Sequence, residues 1–540
     1  MTIGQKITQL RCAMGLSQEQ LAEKICVSRQ SVSKWEMEQA LPQIDKVVQL
    51  CELFGVSCDE LLHDQIEISR PSSNEPRKNK YFGTDGFRGE ANINLTSMQA
   101  YQVGRFLGWY YASSLSGCAK PGYRPRIVIG KDTRRSSYML EYSIVAGLTA
   151  SGADAYMLHV TTTPSVSYVT RQDEFDCGIM ITASHNPFYD NGIKLINRFG
   201  EKLDDETTHL IEAYLDGDIA ALGVSGGDLP LAQREKIGCI VDYVSGRNRY
   251  MGYLISLASN SYKNLRIGID SANGASWNIA KAVFGALGAQ LYIIGDEPDG
   301  LNVNLNCGST HMERLCALVR EKHLDLGFAF DGDADRCLAV DEKGNVVDGD
   351  AILYILGKRL KSRGTLNHNT VVATVMSNSG LFDSLEKIGI RCERTAVGDR
   401  FVYECMQNHD YSLGGEQSGH IILGKHSTTG DGILTAIMIA EEVCDSKSTL
   451  SKLAEPVKLY PQYTTNLQVS DKAGVLADAA VAAAVKETEA LIDGRGRVLL
   501  RPSGTEPVMR IMVEAETEEL CRACADKIAR VIREGGYADV

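Results

Sequence analysis

The chain has no run of about 20 apolar residues, so its sequence offers no membrane-spanning helix. Its start, MTIGQKITQL, lacks the apolar stretch of a secretory signal peptide. Basic residues are in deficit: 56 Lys and Arg stand against 69 Asp and Glu, a net charge of −13. That balance excludes a protein that coats nucleic acid or anionic membrane, while leaving room for a small local DNA-reading surface. A cysteine framework is also missing. The 15 cysteines are odd in number and scattered, the pattern of reduced thiols in a cytoplasmic protein. Cys521 and Cys524 form a single CxxC inside the helical pattern EELCRACADKIARVI. Without a second pair they read as two helix-face residues, not as a zinc or redox site.

What is present is an ordinary globular composition, 44% apolar and 23% charged, spread over 540 residues. That length exceeds a single core and implies several domains. Residues 1–66 read as a small all-helical unit. SQEQLAEKI starts with Ser17 as a helix cap, with Glu19 and Gln20 in the first turn, and SRQSVSKWEME starts with Ser28. QIDKVVQLCELFG and a short SCDELL follow these two, and the unit as a whole reads as five short helices. The polar stretch 67–79, with two prolines, serines and mixed charge, is a linker. From Tyr81 onward apolar β-branched runs such as RIVIG and RIGID alternate with helical patterns, which predicts α/β layers on a mainly parallel sheet. The expected boundaries are 80–240, 241–345 and 346–456 for three α/β units, and 457–540 for a C-terminal α+β unit.

Four polar loops interrupt this body. In ITASHNPFYDNGIKL (181–195), Ser184 lies on a connection between two strand-like runs, with His185 beside it and Lys194 ten residues on. No G-x-S-x-G elbow accompanies it, and Asn-Pro and Asn-Gly are ordinary turn formers. DGDADR (331–336) sets Asp331, Asp333 and Asp335 within five residues. Such charges repel unless a cation compensates, and hard oxygen ligands suit Mg²⁺ or Ca²⁺. An EF-hand loop is excluded, although Glu342 falls at its twelfth position, because Arg336 stands where that loop needs glycine and strands flank it. In GGEQSGH (414–420), Glu416, Ser418 and His420 alternate and would share one side if the segment is extended. RPSGTEPVMR (501–510) offers Ser503, Gly504 and Thr505 between the guanidinium forks of Arg501 and Arg510, a combination suited to phosphate.

Together and in this order, TASHNP, DGDADR, GEQSGH and RPSGTEP resemble the phosphoserine, metal, sugar and phosphate loops of the α-D-phosphohexomutase superfamily, over residues 80 to about 535. YFGTDGFRG (81–89), LNVNLNCGSTH (301–311) and Gln417 look most like its glucosamine-phosphate branch. The resemblance implies four domains around a cleft, three mixed α/β and a C-terminal α+β one, preceded here by the helical unit. It implies interconversion of glucosamine 6-phosphate and glucosamine 1-phosphate, with glucosamine 1,6-bisphosphate as intermediate and activator. Ser184 would carry the phosphoryl group. Mg²⁺ would be held by Asp331, Asp333, Asp335 and an oxygen of phosphorylated Ser184. Lys194 and His420 would serve proton transfer and charge stabilisation, with Arg88 and Arg336 nearby. Glu416 and Ser418 would grip sugar hydroxyls, and Arg501, Ser503, Gly504, Thr505 and Arg510 the non-reacting phosphate.

SQEQLAEKICVSRQSVSKWEME resembles the Cro/repressor-type helix-turn-helix, with Ala22, Val27, Val32 and Trp35 at core positions. Its implied partner is DNA, read by Arg29, Gln30, Ser31, Ser33 and Lys34 from a homodimer. Against this, residues 1–64 hold six basic and nine acidic side chains, net −3, poor for an affinity built on phosphate contacts. A protein-interaction module is the alternative. For the whole chain, glucose or mannose phosphate as substrate, and a transcription regulator that senses sugar phosphate, are the competing readings.

Overall fold

The computed structural model describes residues 2–14, 16–37, 39–54, 56, 61–62, 79–83, 85–113, 122–492, 496–502 and 508–538. It opens with helices α1 (Ile3–Ala13), α2 (Gln18–Lys24), α3 (Arg29–Glu36) and α4 (Ile44–Phe54). The fifth helix expected at SCDELL and the linker 67–79 fall largely outside the described residues, Leu61, Leu62 and Asn79 excepted. Ser17 caps α2 through a capping box: its Oγ accepts from the Gln20 N–H at 3.1 Å, and Gln20 Oε1 accepts from the Ser17 N–H at 2.7 Å. Ser28 Oγ caps α3 by accepting from the Ser31 N–H at 3.2 Å. Leu21, Ala22, Val32 and Trp35 are buried against Ile7 and Leu50, with Val27 at the edge of this cluster. Each fully buried aliphatic or aromatic side chain there contributes about 1.5–3 kcal/mol.

Four sheets follow. The first contains β1 (Phe82–Gly83), β2 (Gly86–Glu90), β3 (Arg126–Lys131), β4 (Asp154–Val160), β5 (Cys177–Ile181), β6 (Asp190–Asn197) and β7 (Ile240–Asp242), in the order β1-β2-β6-β5-β3-β4-β7. The second contains β8 (Arg266–Asp270), β9 (Gln290–Ile294), β10 (Leu326–Phe330), β11 (Cys337–Val340) and β12 (Val346–Val347), in the order β12-β11-β10-β8-β9. The third contains β13 (Thr370–Thr374), β14 (Arg391–Thr395), β15 (Leu413–Gly415) and β16 (Ile421–Leu423), in the order β14-β13-β15-β16. The last contains β17 (Gln462–Gln468), β18 (Arg497–Pro502) and β19 (Val508–Glu514), in the order β17-β19-β18, backed by the helix Glu518–Glu534. Cys521 and Cys524 are buried on that helix, consistent with core positions.

The sheets are mixed, which corrects the expectation of mainly parallel pairing. Helical crossovers give the parallel pairs β3–β4, β3–β5, β8–β9, β8–β10, β13–β14 and β13–β15. The motif loops are too short for crossovers and can join only antiparallel neighbours. Each therefore closes an antiparallel pair: β5–β6, β10–β11, β15–β16 and β18–β19. The last sheet is antiparallel throughout.

Candidate active site

Ser184 follows β5 in a left-handed backbone conformation, φ 51°, and is 1% exposed. Its loop is held by backbone capture. Arg134, itself fully buried, donates from Nη2 to the carbonyls of Ser184 and Asn186, each at 2.9 Å. Asn304 Nδ2 donates to the same two carbonyls at 2.9 and 3.1 Å. Asp132 orients Arg134 by accepting from its Nε at 2.8 Å. Neither Arg134 nor Asp132 was singled out from the sequence. The polar cluster KDTRRSS directly after the apolar strand RIVIG is the signal that could have found them.

The aspartate loop comes to the serine. Ser184 Oγ donates to Asp331 Oδ2 at 2.6 Å, across 147 residues of sequence. This approach requires glycine at 332, where a Cβ would lie 2.4 Å from the Ser184 carbonyl oxygen. Asp331, Asp333 and Asp335 are buried, with carboxylate oxygens all within 4.8 Å of one another. Lys194 Nζ donates to Asp333 Oδ2 at 2.9 Å and to Asp335 Oδ2 at 3.1 Å, and stands 3.2 Å from Asp85 Oδ1. Arg88 pairs with Asp85 and reaches Asn186 Oδ1 at 3.5 Å. Asp85 is thus a member of the cluster beyond the residues expected from sequence.

One ammonium cannot neutralise this group. Burial, then repulsion from Asp335 and Asp333, pushes the Asp331 carboxyl up. Burial also disfavours charge on Asp335, but Lys194, His420 and Arg336 together outweigh it and pull that carboxyl down. Lys194 is raised well above the usual lysine range: burial opposes its charge, while Asp333, Asp335 and Asp85 enforce it. His185, 3.2 Å from Ser184 Oγ through Nδ1, is depressed to about 4 by burial and by Arg336 and Arg88, so it is neutral near pH 7. Asp333 Oδ1 and Asp335 Oδ1 are buried with no hydrogen-bond partner. Orphaned carboxylate oxygens beside a third carboxylate are the donor set of a hard divalent cation, and the residues present fit one.

GGEQSGH is a tight hairpin turn and not extended. The Glu416 N–H donates to the His420 carbonyl and the Gly419 N–H to the Glu416 carbonyl, both at 3.0 Å, with Gly419 at φ 92°. Glu416, Ser418 and His420 are therefore set by turn geometry, not by strand alternation. Glu416 Oε1 accepts from the Gly398 N–H at 3.1 Å. Ser418 Oγ is buried without a partner. His420 Nε2 accepts from the Gly430 N–H at 2.9 Å, and its Nδ1 lies 3.9 Å from Asp335 Oδ2. Burial lowers the pKa of this ring, but Asp335, Asp399 and Glu416 raise it further. Arg336 lies beside Asp331 and Asp335, which hold its charge against burial.

Arg501 and Arg510 face each other across β18 and β19. Like charges directly opposed on a sheet destabilise it unless an anion lies between them. Burial and Arg510 both depress Arg501. Ser503, Gly504 and Thr505 lie outside the described residues. In the N-terminal unit Gln30 and Lys34 are exposed, while Ser31, Ser33 and Arg29 are half-buried, and Arg29 pairs with Glu19.

Four α/β-type units with a serine loop against an aspartate trio define a phosphohexomutase body with a helix-turn-helix fused in front. Models of phosphoglucomutase/phosphomannomutase domains I, II, III and IV match residues 79–220, 248–344, 348–460 and 465–531, and a helix-turn-helix model matches 7–61. A phosphoglucosamine mutase of Lachnospira eligens is 59% identical over 459 residues, covering 85% of this chain and 99% of that protein. The phosphoglucosamine mutase of Bacillus subtilis is 46% identical over 454 residues, covering 84% and 98%. Among solved structures, a phosphoglucomutase/phosphomannomutase family protein from Burkholderia thailandensis shares the fold at TM-score 0.68 and 21% identity, covering 85% of this chain and 98% of that one. An Aspergillus fumigatus N-acetylphosphoglucosamine mutase, solved with GlcNAc-6P and magnesium, does so at TM-score 0.58 and 18% identity, covering 86% and 97%. The chain belongs to the phosphohexomutase family, on the branch whose curated members are named phosphoglucosamine mutase.

Proposed function

We propose that the chain is a mutase that interconverts glucosamine 6-phosphate and glucosamine 1-phosphate, with Ser184 as the phosphoryl carrier. The observation that carries this is the buried Ser184 Oγ at 2.6 Å from Asp331, within a carboxylate trio ion-paired with Lys194 and flanked by Arg336. Phosphate monoesters hydrolyse extremely slowly unaided, so a stored phosphoryl donor in a charge-compensated pocket is a workable route. In the first half-reaction a sugar hydroxyl oxygen bonds to the phosphorus of phosphorylated Ser184 as the bond to Oγ breaks. The hydroxyl proton ends, net, on Ser184 Oγ. Glucosamine 1,6-bisphosphate results, turns over in the cleft, and returns its other phosphate to Ser184.

Mg²⁺ is the cation we assign to Asp331, Asp333, Asp335 and an oxygen of phosphorylated Ser184, a choice the orphaned carboxylate oxygens support. When bound it offsets charge on the transferring group. Lys194, held as an ammonium by three carboxylates, stabilises charge and, with His420, is placed for proton transfer near the serine. Arg88 and Arg336 add positive charge around the serine loop, and His420 orients the Asp335 side of the trio. Glu416 and Ser418 hold sugar hydroxyls; the unpartnered Ser418 Oγ supports that role. Arg501 and Arg510, with Ser503, Gly504 and Thr505, hold the phosphate that is not reacting. The units are assigned 80–240, 241–345, 346–456 and 457–540, with β7 carrying the first sheet to Asp242, and a cytoplasmic location accords with the free thiols. Among the described residues no helix is long and apolar enough to cross a membrane.

The helix-turn-helix match favours a second activity, DNA reading by α3 from a homodimer. Gln30 and Lys34, both exposed, are the accessible readers; Arg29, Ser31 and Ser33 complete the set. Two measurements test the two activities. Mass spectrometry of the purified protein is expected to find one phosphate on the peptide containing 181–195, and turnover is expected to be fastest on glucosamine 6-phosphate. Faster turnover of glucose or mannose 6-phosphate overturns the substrate. Fluorescence anisotropy with duplex DNA at low salt tests α3, and no binding there removes the DNA role.

A further inference from the structure

The helix-turn-helix unit is docked on the mutase body across a seam. The seam joins the first and third mutase units through Tyr403 OH donating to Glu201 Oε1 at 2.7 Å, Lys202 Nζ donating to Asp399 Oδ1 at 2.7 Å, and Arg400 Nη1 donating to Asp205 Oδ1 at 2.9 Å. Helix α2 lies over it. Lys24 Nζ donates to Glu206 Oε2 at 2.5 Å, and Glu23 Oε1 stands 4.0 Å from Arg198 Nε. From the end of α1, Arg11 Nη1 donates to Asn408 Oδ1 at 3.4 Å. Ser17 and Gln20 help to line a pocket whose other walls include Asp85, Lys194, Asp399 and His420. Asp85, Lys194 and His420 are the groups that surround the aspartate trio. The unit thus supplies part of the wall of the chamber adjoining the reaction centre.

The docking is not a fully satisfied interface. Glu19 is 6% exposed and pairs with Arg29, yet its Oε2 has no hydrogen-bond partner, and after burial its charge is the next cause that raises the Glu201 carboxyl. An interface that buries an incompletely paired carboxylate near a second acidic group is suited to opening, because water would relieve both. Arg29, first residue of the DNA-reading helix, lines a second pocket together with Gln407, Asp410 and His426 of the third mutase unit. The docked position therefore sets the start of α3 beside the third mutase unit, with the Arg29 side chain still 42% exposed, and closes one side of the chamber.

We propose that the docked helix-turn-helix unit is a removable wall of the catalytic pocket that shields phosphorylated Ser184 from water. On release, a water oxygen bonds to the phosphorus as the Ser184 Oγ–P bond breaks, the water proton passes net to Oγ, and inorganic phosphate leaves with a dead dephosphoenzyme behind. The same release separates α3 from the third mutase unit beside it, so freeing α3 and losing the phosphoryl group are coupled outcomes of one movement. This inference rests on the phosphoserine role proposed above.

The test uses the full chain and two surface side chains outside the catalytic machinery. Lys24→Glu and Glu206→Lys each place like charges at the docking bridge, and the double variant restores an opposite pair. Two readouts are needed: small-angle scattering for docking, and the half-life of phosphate on the 181–195 peptide in sugar-free buffer, with released inorganic phosphate measured beside it. Each single variant is expected to expand the scattering profile and shorten the half-life about threefold or more, and the double variant to restore both. Single variants that stay compact overturn the proposal, as do variants that open with an unchanged half-life. A wild-type chain carrying no phosphate on Ser184 sinks the carrier role first, and that result is seen before any variant is compared.

Discussion

Replacing Ser184 by alanine separates the serine's structural role from its chemical one. The backbone bonds that hold the loop survive: the Ser184 N–H donates to Thr182 Oγ1 at 2.9 Å, and the Ser184 carbonyl accepts from Arg134 and Asn304, each at 2.9 Å. The change removes the 2.6 Å bond from Oγ to Asp331 and the 3.2 Å contact with His185. A lost bond of this kind costs about 1–3 kcal/mol. Spread over a unit of 150–250 residues, each kcal/mol lowers the transition by about 2–4 °C. A folded protein with a transition a few degrees lower is the expected result. Turnover is different, because the carrier oxygen itself is gone. A coupled assay of glucosamine 6-phosphate conversion, run with saturating glucosamine 1,6-bisphosphate, is expected to fall by at least about 10⁴-fold, as when a nucleophile is deleted. A folded S184A protein retaining more than about a tenth of the wild-type rate would falsify the carrier role.

Other perturbations probe separate parts of the molecule. Arg510→Ala, which removes one of two cations facing each other across β18 and β19, is expected to raise the Michaelis constant about tenfold with kcat little changed; an unaltered Michaelis constant counts against the phosphate assignment. Lys194→Met strips the ammonium from Asp85, Asp333 and Asp335, a loss of about 3–5 kcal/mol for a buried charge left unpaired. Its melting temperature is expected to drop more in EDTA than in excess Mg²⁺, and equal drops speak against a divalent cation at the trio. Docking of the helix-turn-helix has a pH dependence through Glu23, raised from 4.5 to about 7 by burial, a shift that Arg198 and Lys24 oppose and Asp204 and Asp176 support. Below pH 4.5 the proton is present whether the unit is docked or free, so nothing is lost there. As pH rises from 4.5 to about 7 the free form ionises first, and docking weakens until it levels off. Scattering should therefore show a larger radius of gyration at pH 7.5 than at pH 5.5, and a constant or shrinking radius contradicts this.

The reaction centre was legible wherever a motif concentrates its chemistry in a few neighbouring residues. Ser184, Asp331, Asp333, Asp335 and Lys194 meet as their loops led one to expect, because the serine and aspartate loops each close an antiparallel pair. What supports the centre was not legible. Arg134 and Asn304 act on backbone carbonyls 50 and 120 residues away, and a carbonyl leaves no mark in the sequence. Asp85 lay inside a quoted stretch, yet only the fold brings it to Lys194. The parallel character of the sheets was overestimated because apolar β-branched runs report burial on both faces, not the direction of the neighbouring strand. The alternation read into GGEQSGH failed because Ser418-Gly419 turns the chain before a strand can form, with Gly419 at φ 92°.

The acidic balance of the N-terminal unit, which counts against DNA binding when read from sequence, has a structural use. Glu36 is paired internally with Arg11 at 2.6 Å and also accepts from Gln18 Nε2 at 2.7 Å. Glu19 pairs with Arg29, and Glu23 faces Arg198 of the body. These three carboxylates bind within the unit or across the seam, so they need not repel a phosphate backbone as free surface charges would. The internal pairing at Arg11 and Glu36 persists when the unit leaves, whereas the interaction of Glu23 with the body is lost. Release thus exposes Glu23 and separates α3 from the body together, and the net field that DNA meets depends on the docked state. An ionic-strength series on the wild-type chain and on the Lys24→Glu variant follows from this. If docking hinders the reading helix, the released variant should bind duplex DNA more tightly at low salt although Lys24→Glu replaces a positive charge by a negative one, because access outweighs that change beside the helix. Weaker binding by the variant at every salt concentration would mean that the docked position hides nothing DNA needs.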